Sequence, residues 1–294
     1  MDTAEKNLFP ITLTRKISDI HSGGFSSEDE KNFGFGVGEL FTEPKALHEL
    51  VTLHKKNFAS NLEKYRAKIL ESNSEYKQLA PNVFAHTSAS VDSSTVFNTE
   101  NGIVVIEKGA TVMPFSYLVG PLRADENATI NPHSYIRSSY IGKFCKVGGE
   151  VAESVFESYS NKAHAGGIYC AYIGSWVNIG GGTSNSNLKN TYGDIKMSGV
   201  DTGEQFLGCI IADHAKTAIN TSIYTGKVIG VGAHIYGTVT SDVPNFVNYY
   251  SKDNTTEIPI DITEKIATRM MERRGVQFTT EDKKLLESIY KNNE

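Results

Sequence analysis

From Ile106 onward an aliphatic or small residue returns at every sixth position: Ile106, Val112, Leu118, Ala124, Ile130 and Ile136. After a one-residue slip the phase continues at Ile141 and Val147. It returns at Ile173 and Ile179, then runs strictly through Ile211, Thr217, Ile223, Ile229 and Ile235. Small or turn-forming residues follow many of these positions, among them Gly142, Gly148, Gly174, Gly180, Ala212 and Gly230. A period of six matches neither a helical stripe nor the alternation of a half-buried strand. It matches a short flat strand followed by a turn, with three such units closing a triangular coil of about 18 residues. The aliphatic residue points into the coil, and each coil buries its interior against its neighbours. Residues 83 to about 244 then form about nine coils.

Two kinds of segment break the period. Residues 185–208 are polar and Gly-containing, and read as a loop or hairpin thrown out of one coil. Loops on a rigid scaffold are where function concentrates. Before the repeats, residues 46–70 carry Leu47, Leu50, Val51, Leu53, Phe58, Leu62 and Ile69 on a charged background, the pattern of an amphipathic helix. Residues 9–17 read as a strand. After the repeats, 262–273 and 281–290 read as two helices separated by Gly275, with Asp261 or Thr263 capping the first and Thr279 opening the second. Helices there would cap the open end of the coil stack, whose strand edges are otherwise unpaired. The chain thus divides into an N-terminal α-containing segment (1–82), a repeat domain (83–247, with the loop near 185–208) and a helical tail (248–294).

Composition narrows the function. The 294 residues carry a formal net charge of −5, which argues against a nucleic-acid partner, since that needs a basic face. No apolar run approaches the roughly 18 residues of a membrane span, and the N-terminus lacks a signal-peptide pattern. The cysteines Cys145, Cys170 and Cys209 are odd in number and form no CxxC pair. Neither a disulfide framework nor a zinc site is expected, and a cytoplasmic setting follows. Gly34, Gly36 and Gly38 fall short of a dinucleotide fingerprint and read as a flexible loop.

The specific signal lies between Gly148 and Gly193. The chain reads GGEV at 148–151, YSNK at 159–162 with His164 next, then WVNIGGGTSNSNLKNTYG from 176 to 193. These motifs, and the tail sequence RMMERRGVQFTTEDKKLL, resemble the acetyltransferase half of the bifunctional N-acetylglucosamine-1-phosphate uridylyltransferase/glucosamine-1-phosphate acetyltransferase family, in a divergent branch. The resemblance covers roughly residues 98–243. It implies a mainly β fold, a left-handed parallel β-helix of hexapeptide repeats. It also implies a homotrimer with sites between neighbouring β-helices, and acetyl-CoA as co-substrate.

By the same resemblance His164 is the general base on the sugar amine, and Asn178 and Asn187 are the site asparagines. Imidazole, with a reference pKa of about 6.5, suits a base that works near neutrality, and amides orient partners without adding charge. The family's nucleotidyltransferase loop is missing, so residues 1–82 read as a shortened or replaced remnant and no nucleotidyl transfer is expected. Departures are concrete. Gly167 stands where the family has a tyrosine, Ala152 where it has a phosphate-binding lysine, and Leu188 where it has a second tyrosine. Lys162, Lys189 and Lys196 are the candidate replacements for phosphate contact. Tyr169 or Tyr172 replaces the phenol, with Tyr172 assigned to the substrate. Backbone N–H groups at Gly180 and Gly182, and the tail cations Arg273 and Arg274 with Arg269, are assigned to the coenzyme. An H-x4-H pair of the kind found in zinc-dependent β-helices is absent, and no metal is expected. The rival reading is a non-catalytic trimeric β-helix that binds a sugar nucleotide or a protein partner.

Overall fold

The computed structural model describes residues 3–292. At its centre is a parallel β-helix with three walls. The first wall stacks Val83–His86, Val104–Ile106, the ends of Tyr117–Ala124 and Tyr135–Ile141, then Val155–Phe156, Tyr172–Ile173, Ile210–Ile211 and Val228–Ile229. The second runs from Ser90–Val91 to Asn161–Lys162. Bridges at Asn178 carry it on to Lys216–Thr217, His234–Ile235 and Val247–Ser251. The third carries Val96–Asn98, the starts of the two long strands, Glu150–Ala152 and Gly167–Tyr169, and leads on to Ser184–Asn185, Ser222–Ile223 and Thr238–Val239. The six-residue series points inward as its period requires. Its aliphatic members share one buried cluster, and Thr217 is the polar member, 6% exposed.

Both ends of the stack are closed by antiparallel strands. Tyr76–Ala80 pairs with Val83–His86 at the start, and a hairpin of Val247–Ser251 with Asn254–Glu257 finishes the other end. The helical tail therefore does something other than cap. Helix α4 (Ile260–Glu272) starts after Pro259 rather than at a side-chain cap from Asp261 or Thr263, and Thr263 is buried. Helix α5 (Thr280–Lys291) begins at Thr279, whose hydroxyl accepts from the Asp282 N–H in a capping box. The tail runs back along the β-helix, far enough for Arg274 to donate to the Phe144 carbonyl.

The N-terminal segment lies on the outer face of the first wall. Short helices α1 (Thr3–Lys6) and α2 (Ser27–Asn32) precede the long helix α3 (Glu49–Tyr65), which continues as a wider turn over Arg66–Leu70. Residues 9–17 are not a strand. They form 3-10 turns at Ile11–Leu13 and Ile17–Asp19. Pro10 has no N–H to give a ladder, and Leu8, Ile11 and Ile20 bury as single anchors instead. Leu50, Phe58 and Leu62 of α3 share a buried cluster with Phe84, Val105, Tyr140, Val155, Tyr172 and Ile210 of the wall. That burial explains why the first-wall strands are apolar on both faces, as strands covered on two sides are.

A buried ionic network fixes this cover. Arg123, 2% exposed, lies 2.8 Å from Glu107, 3.6 Å from Asp125 and 3.7 Å from Asp29, and donates to the Gly24 carbonyl at 3.2 Å. Further along, Arg15 forks onto Asp213 at 2.5 and 2.6 Å and reaches Glu157 at 3.2 Å. His21 lies 2.9 Å from Glu157 and 3.2 Å from Asp29. Burial alone would depress the His21 imidazole, but Glu157 and Asp29 raise it to about 10. The excursion at 185–208 also packs on the cover. Its hairpin, Lys196–Met197 with Val200–Asp201, is flanked by buried Ile195 and Leu207, and Lys55 of α3 donates to the Phe206 carbonyl at 3.2 Å. Among the described residues no helix is long and apolar enough to cross a membrane.

Candidate active site

Along the second wall the residue before each inward position faces outward. In register these are Lys146, Asn161, Asn178, Lys216 and His234. The Asn161 amide donates to the Asn178 side-chain oxygen at 2.9 Å, so both amides have fixed orientation. Helix α4 lies opposite this row and encloses a cleft of about 340 Å³. Arg269, Arg273 and Arg274 line it from the tail and Lys216 from the wall, with Val177, Ile266 and Met270 as apolar lining. No carboxylate lines the cleft, and among the described residues none of these four cations forms an ion pair. Burial lowers the Lys216 ammonium to about 8, and its Nζ donates to the His214 carbonyl at 2.8 Å. An apolar strip beside cations without ion-pair partners is chemically suited to an anion that carries an apolar arm.

His164 stands on the corner between the second and third walls. It is exposed, and its imidazole makes no side-chain hydrogen bond among the described residues. It packs over Gly181 of the next coil, where a Cβ would come within 3.3 Å of its own. The corner is held from inside by Lys162. This residue takes the inward position that Val147 fills one coil earlier and is 1% exposed. Its Nζ donates to the carbonyls of Gly148 (2.7 Å), His164 (3.1 Å) and Gly166 (2.7 Å), and burial lowers its pKa to about 8. Lys162 was expected at a substrate surface. It lies inside the coil instead, where its ammonium meets three carbonyls of the corner.

The other expected residues are dispersed. Asn178, Arg273 and Arg274 meet in the cleft. Gly180 and Gly182 lie in the turn above His164. Gly182 has φ +77°, and a Cβ on Gly180 would collide with the backbone of Ala218. Asn187 lies at the root of the excursion, where it donates to the Cys170 sulfur at 3.3 Å, across the third wall from His164. Lys189 donates to the Asp194 carbonyl, and Lys196 pairs with Asp201 at 3.2 Å, so both are engaged within the excursion. Tyr172, expected to touch substrate, is fully buried beneath the N-terminal cover with its hydroxyl on Glu157. As an outward residue of the first wall it is sealed by that cover. The sequence candidates omit Lys216, Asn161 and Tyr159. Lys216 was findable, since it immediately precedes Thr217 in the strict run and so shares the outward row of Asn178.

Cys145, Cys170 and Cys209 are free and buried, and burial raises their thiols to about 12, 11 and 12. Among the described residues no group of three or more His, Cys, Asp or Glu is placed to hold a metal ion.

Comparison with known sequences then bears on kinship. Over 142 residues the chain is 30% identical to a bifunctional sugar-1-phosphate nucleotidylyltransferase/acetyltransferase from Sulfurisphaera tokodaii, a match covering 46% of this chain and 35% of that protein. The chain resembles the bifunctional sugar-1-phosphate nucleotidylyltransferase/acetyltransferases. A second relative, the bifunctional protein GlmU of a Picosynechococcus species, is 32% identical over 146 residues, 48% of this chain and 29% of its own. The match therefore spans about a third of the length of these curated relatives. No family profile matches the chain. Among solved structures, the Francisella novicida UDP-N-acetylglucosamine acyltransferase overlaps 72% of this chain and 78% of its own at 19% identity and a TM-score of 0.35, a likeness too low to carry functional weight.

Proposed function

We propose that this protein is an acyltransferase that moves an acetyl group from acetyl-CoA to the amine of an amino-sugar phosphate or a nucleotide-linked amino sugar. The observation that carries this reading is the cleft between the second wall and α4, which combines four unpaired cations, an apolar strip and the oriented Asn178 one corner away from the exposed His164. Coenzyme A has the matching chemistry, phosphates on a long, weakly polar arm. In the step proposed, the neutral amine attacks the thioester carbon, the C–N bond forms and His164 takes the proton released from nitrogen. The C–S bond then breaks, and the thiolate leaves with that proton. Asn178 orients the reacting groups, the Gly181 N–H serves the oxyanion, since the Gly180 and Gly182 N–H groups already donate to Thr217 and Ala165, and no metal is needed. Asn187 lies too far round the coil to join them within one protomer. Assembly as a homotrimer, with sites between neighbouring β-helices, would bring it there from a second copy.

The test is His164→Ala, assayed by thiol release from acetyl-CoA with glucosamine 1-phosphate and nucleotide-linked amino sugars. Loss of a general base should lower kcat by about 10²–10⁴ while CoA binding persists. A folded variant with full activity would remove His164 from the mechanism. Intact CoA binding without turnover of any amino sugar would favour the non-catalytic reading.

A further inference from the structure

The third wall, on the other side of His164 from the cleft, carries a polar pair that the acyl-transfer chemistry has not yet used. Its outward row nearest the His164 corner reads Tyr117, Tyr135, Glu150 and Gly167 in register. The rings of Tyr117 and Tyr135 stack at 5.4 Å. Gly167 leaves a gap in this row directly beside Glu150. Tyr169, from the neighbouring outward row, leans across and fills it, so a Cβ on Gly167 would collide with the Tyr169 hydroxyl. That hydroxyl donates to Glu150 Oε2 at 2.9 Å. Burial and then Glu150 raise the Tyr169 phenol to about 12, so it remains a donor. The other Glu150 oxygen has no hydrogen-bond partner among the described residues. The cations nearby are committed: Arg137 pairs with Glu153 at 2.7 Å, and the Lys162 ammonium faces the coil interior.

We propose that Glu150 and the Tyr169 hydroxyl select the acceptor, the carboxylate holding its positively charged amine and the phenol oxygen accepting from an adjacent sugar hydroxyl. This rests on the reading that an amino sugar reaches His164, and it adds which face the sugar takes. With the cleft on the second wall given to the coenzyme, the acceptor arrives over the third wall, and the two meet at the corner that carries His164. The Glu150 carboxylate, with one oxygen open and no ion-pair partner among the described residues, attracts an ammonium and repels a phosphate. The face therefore reads the amine and leaves any phosphate of the acceptor pointing away. The bound ammonium gives one proton to water to become the nucleophile, and the second passes to His164 as the C–N bond forms.

The experiment compares binding of glucosamine 1-phosphate and glucose 1-phosphate, which differ in the ammonium alone, to the full-length protein by calorimetry. The wild type should favour the amino sugar by about 10–100-fold, the range of a charge-assisted hydrogen bond. Glu150→Gln keeps an oxygen for the Tyr169 hydroxyl and should fold, yet should abolish the preference. Tyr169→Phe should weaken both sugars alike, by about threefold to tenfold. CoA affinity and thermal midpoint should hold in both variants. A wild type without preference, or a Glu150→Gln protein that retains it, overturns the proposal. These are equilibrium measurements, so they separate from the His164→Ala rate test: an active His164→Ala protein would remove the base while leaving sugar selection standing.

Discussion

Replacing Arg123 by Met keeps most of the side-chain length and removes the charge at the centre of the N-terminal cover. Three carboxylates within 4 Å then lose their counter-charge, but not equally. Asp29 keeps His21 at 3.2 Å, Asp125 keeps the Tyr140 hydroxyl at 2.6 Å, and Glu107 keeps the Tyr76 hydroxyl. Breaking a buried pair costs about 3–5 kcal/mol, and these remaining partners put the loss near the lower end. The guanidinium also lies over the rings of Phe25 and Tyr65, at 4.7 and 5.3 Å, worth about 1 kcal/mol more. A penalty of roughly 4–5 kcal/mol results. It falls on docking of the cover, because Phe25, Asp29 and Tyr65 belong to the cover whereas Glu107 and Asp125 belong to the wall. Hydrogen exchange should show α3 amides opening about a thousandfold more often, while the inward strands of the first wall keep most of their protection. The uncompensated negative charge is relieved by protonation, so the defect should shrink at pH 5 and grow at pH 8. Adding Glu107→Gln should recover part of the loss. A change below about 1 kcal/mol, or a defect that grows on acidification, would refute this account of the network.

Two further outcomes follow from the same geometry. The folded His21 pKa of about 10 exceeds its unfolded value, so its contribution is complete below about pH 6.5 and is lost as pH rises towards 10. Glu157 is lowered to about 2, first against burial and then by His21 and Arg15, and its contribution is lost only in acid. Urea unfolding should therefore show stability falling from pH 6.5 to 10, with His21→Gln flattening that limb; a rise over this range would contradict the assignment. In the cleft, Arg269→Ala with Arg273→Ala should weaken CoA roughly tenfold, as expected for two exposed cations. The salt dependence of binding should also become shallower. Equal affinity and equal salt dependence would place the coenzyme elsewhere.

How far the sequence could lead differs between the inside and the outside of the coil. The inward series is legible because a six-residue period admits one placement, and residues from Ile106 to Ile235 fall where it puts them. Outward residues carry no such constraint, and what covers them is a tertiary matter. Tyr172 looks like a surface phenol until the N-terminal segment is seen lying over it. A hint was present: Val104–Ile106, Tyr172–Ile173 and Ile210–Ile211 of the first wall are apolar on both faces. Lys162 misled for the opposite reason. A lysine at an inward position reads as an interruption of the period, when it is a filled interior site serving three carbonyls. Residues 9–17 have strand-like composition, but their apolar residues anchor one by one in 3-10 turns.

The cover touches the stack at widely separated levels. Arg123 meets Asp29 and Gly24 near one end, His54 reaches the Ser138 carbonyl, His21 meets Glu157, and Arg15 grips Asp213 far along the axis. A bare β-helix is a one-dimensional array in which each coil senses only its neighbours, so it can unzip from either end one coil at a time. A strap fastened at four heights removes that freedom. Peeling the coil at Asp213 pulls on the same segment that packs against Arg123, and partial unwinding is converted into an all-or-none event. The segment that precedes the repeats thereby makes a stack of quasi-independent coils behave as a single cooperative body.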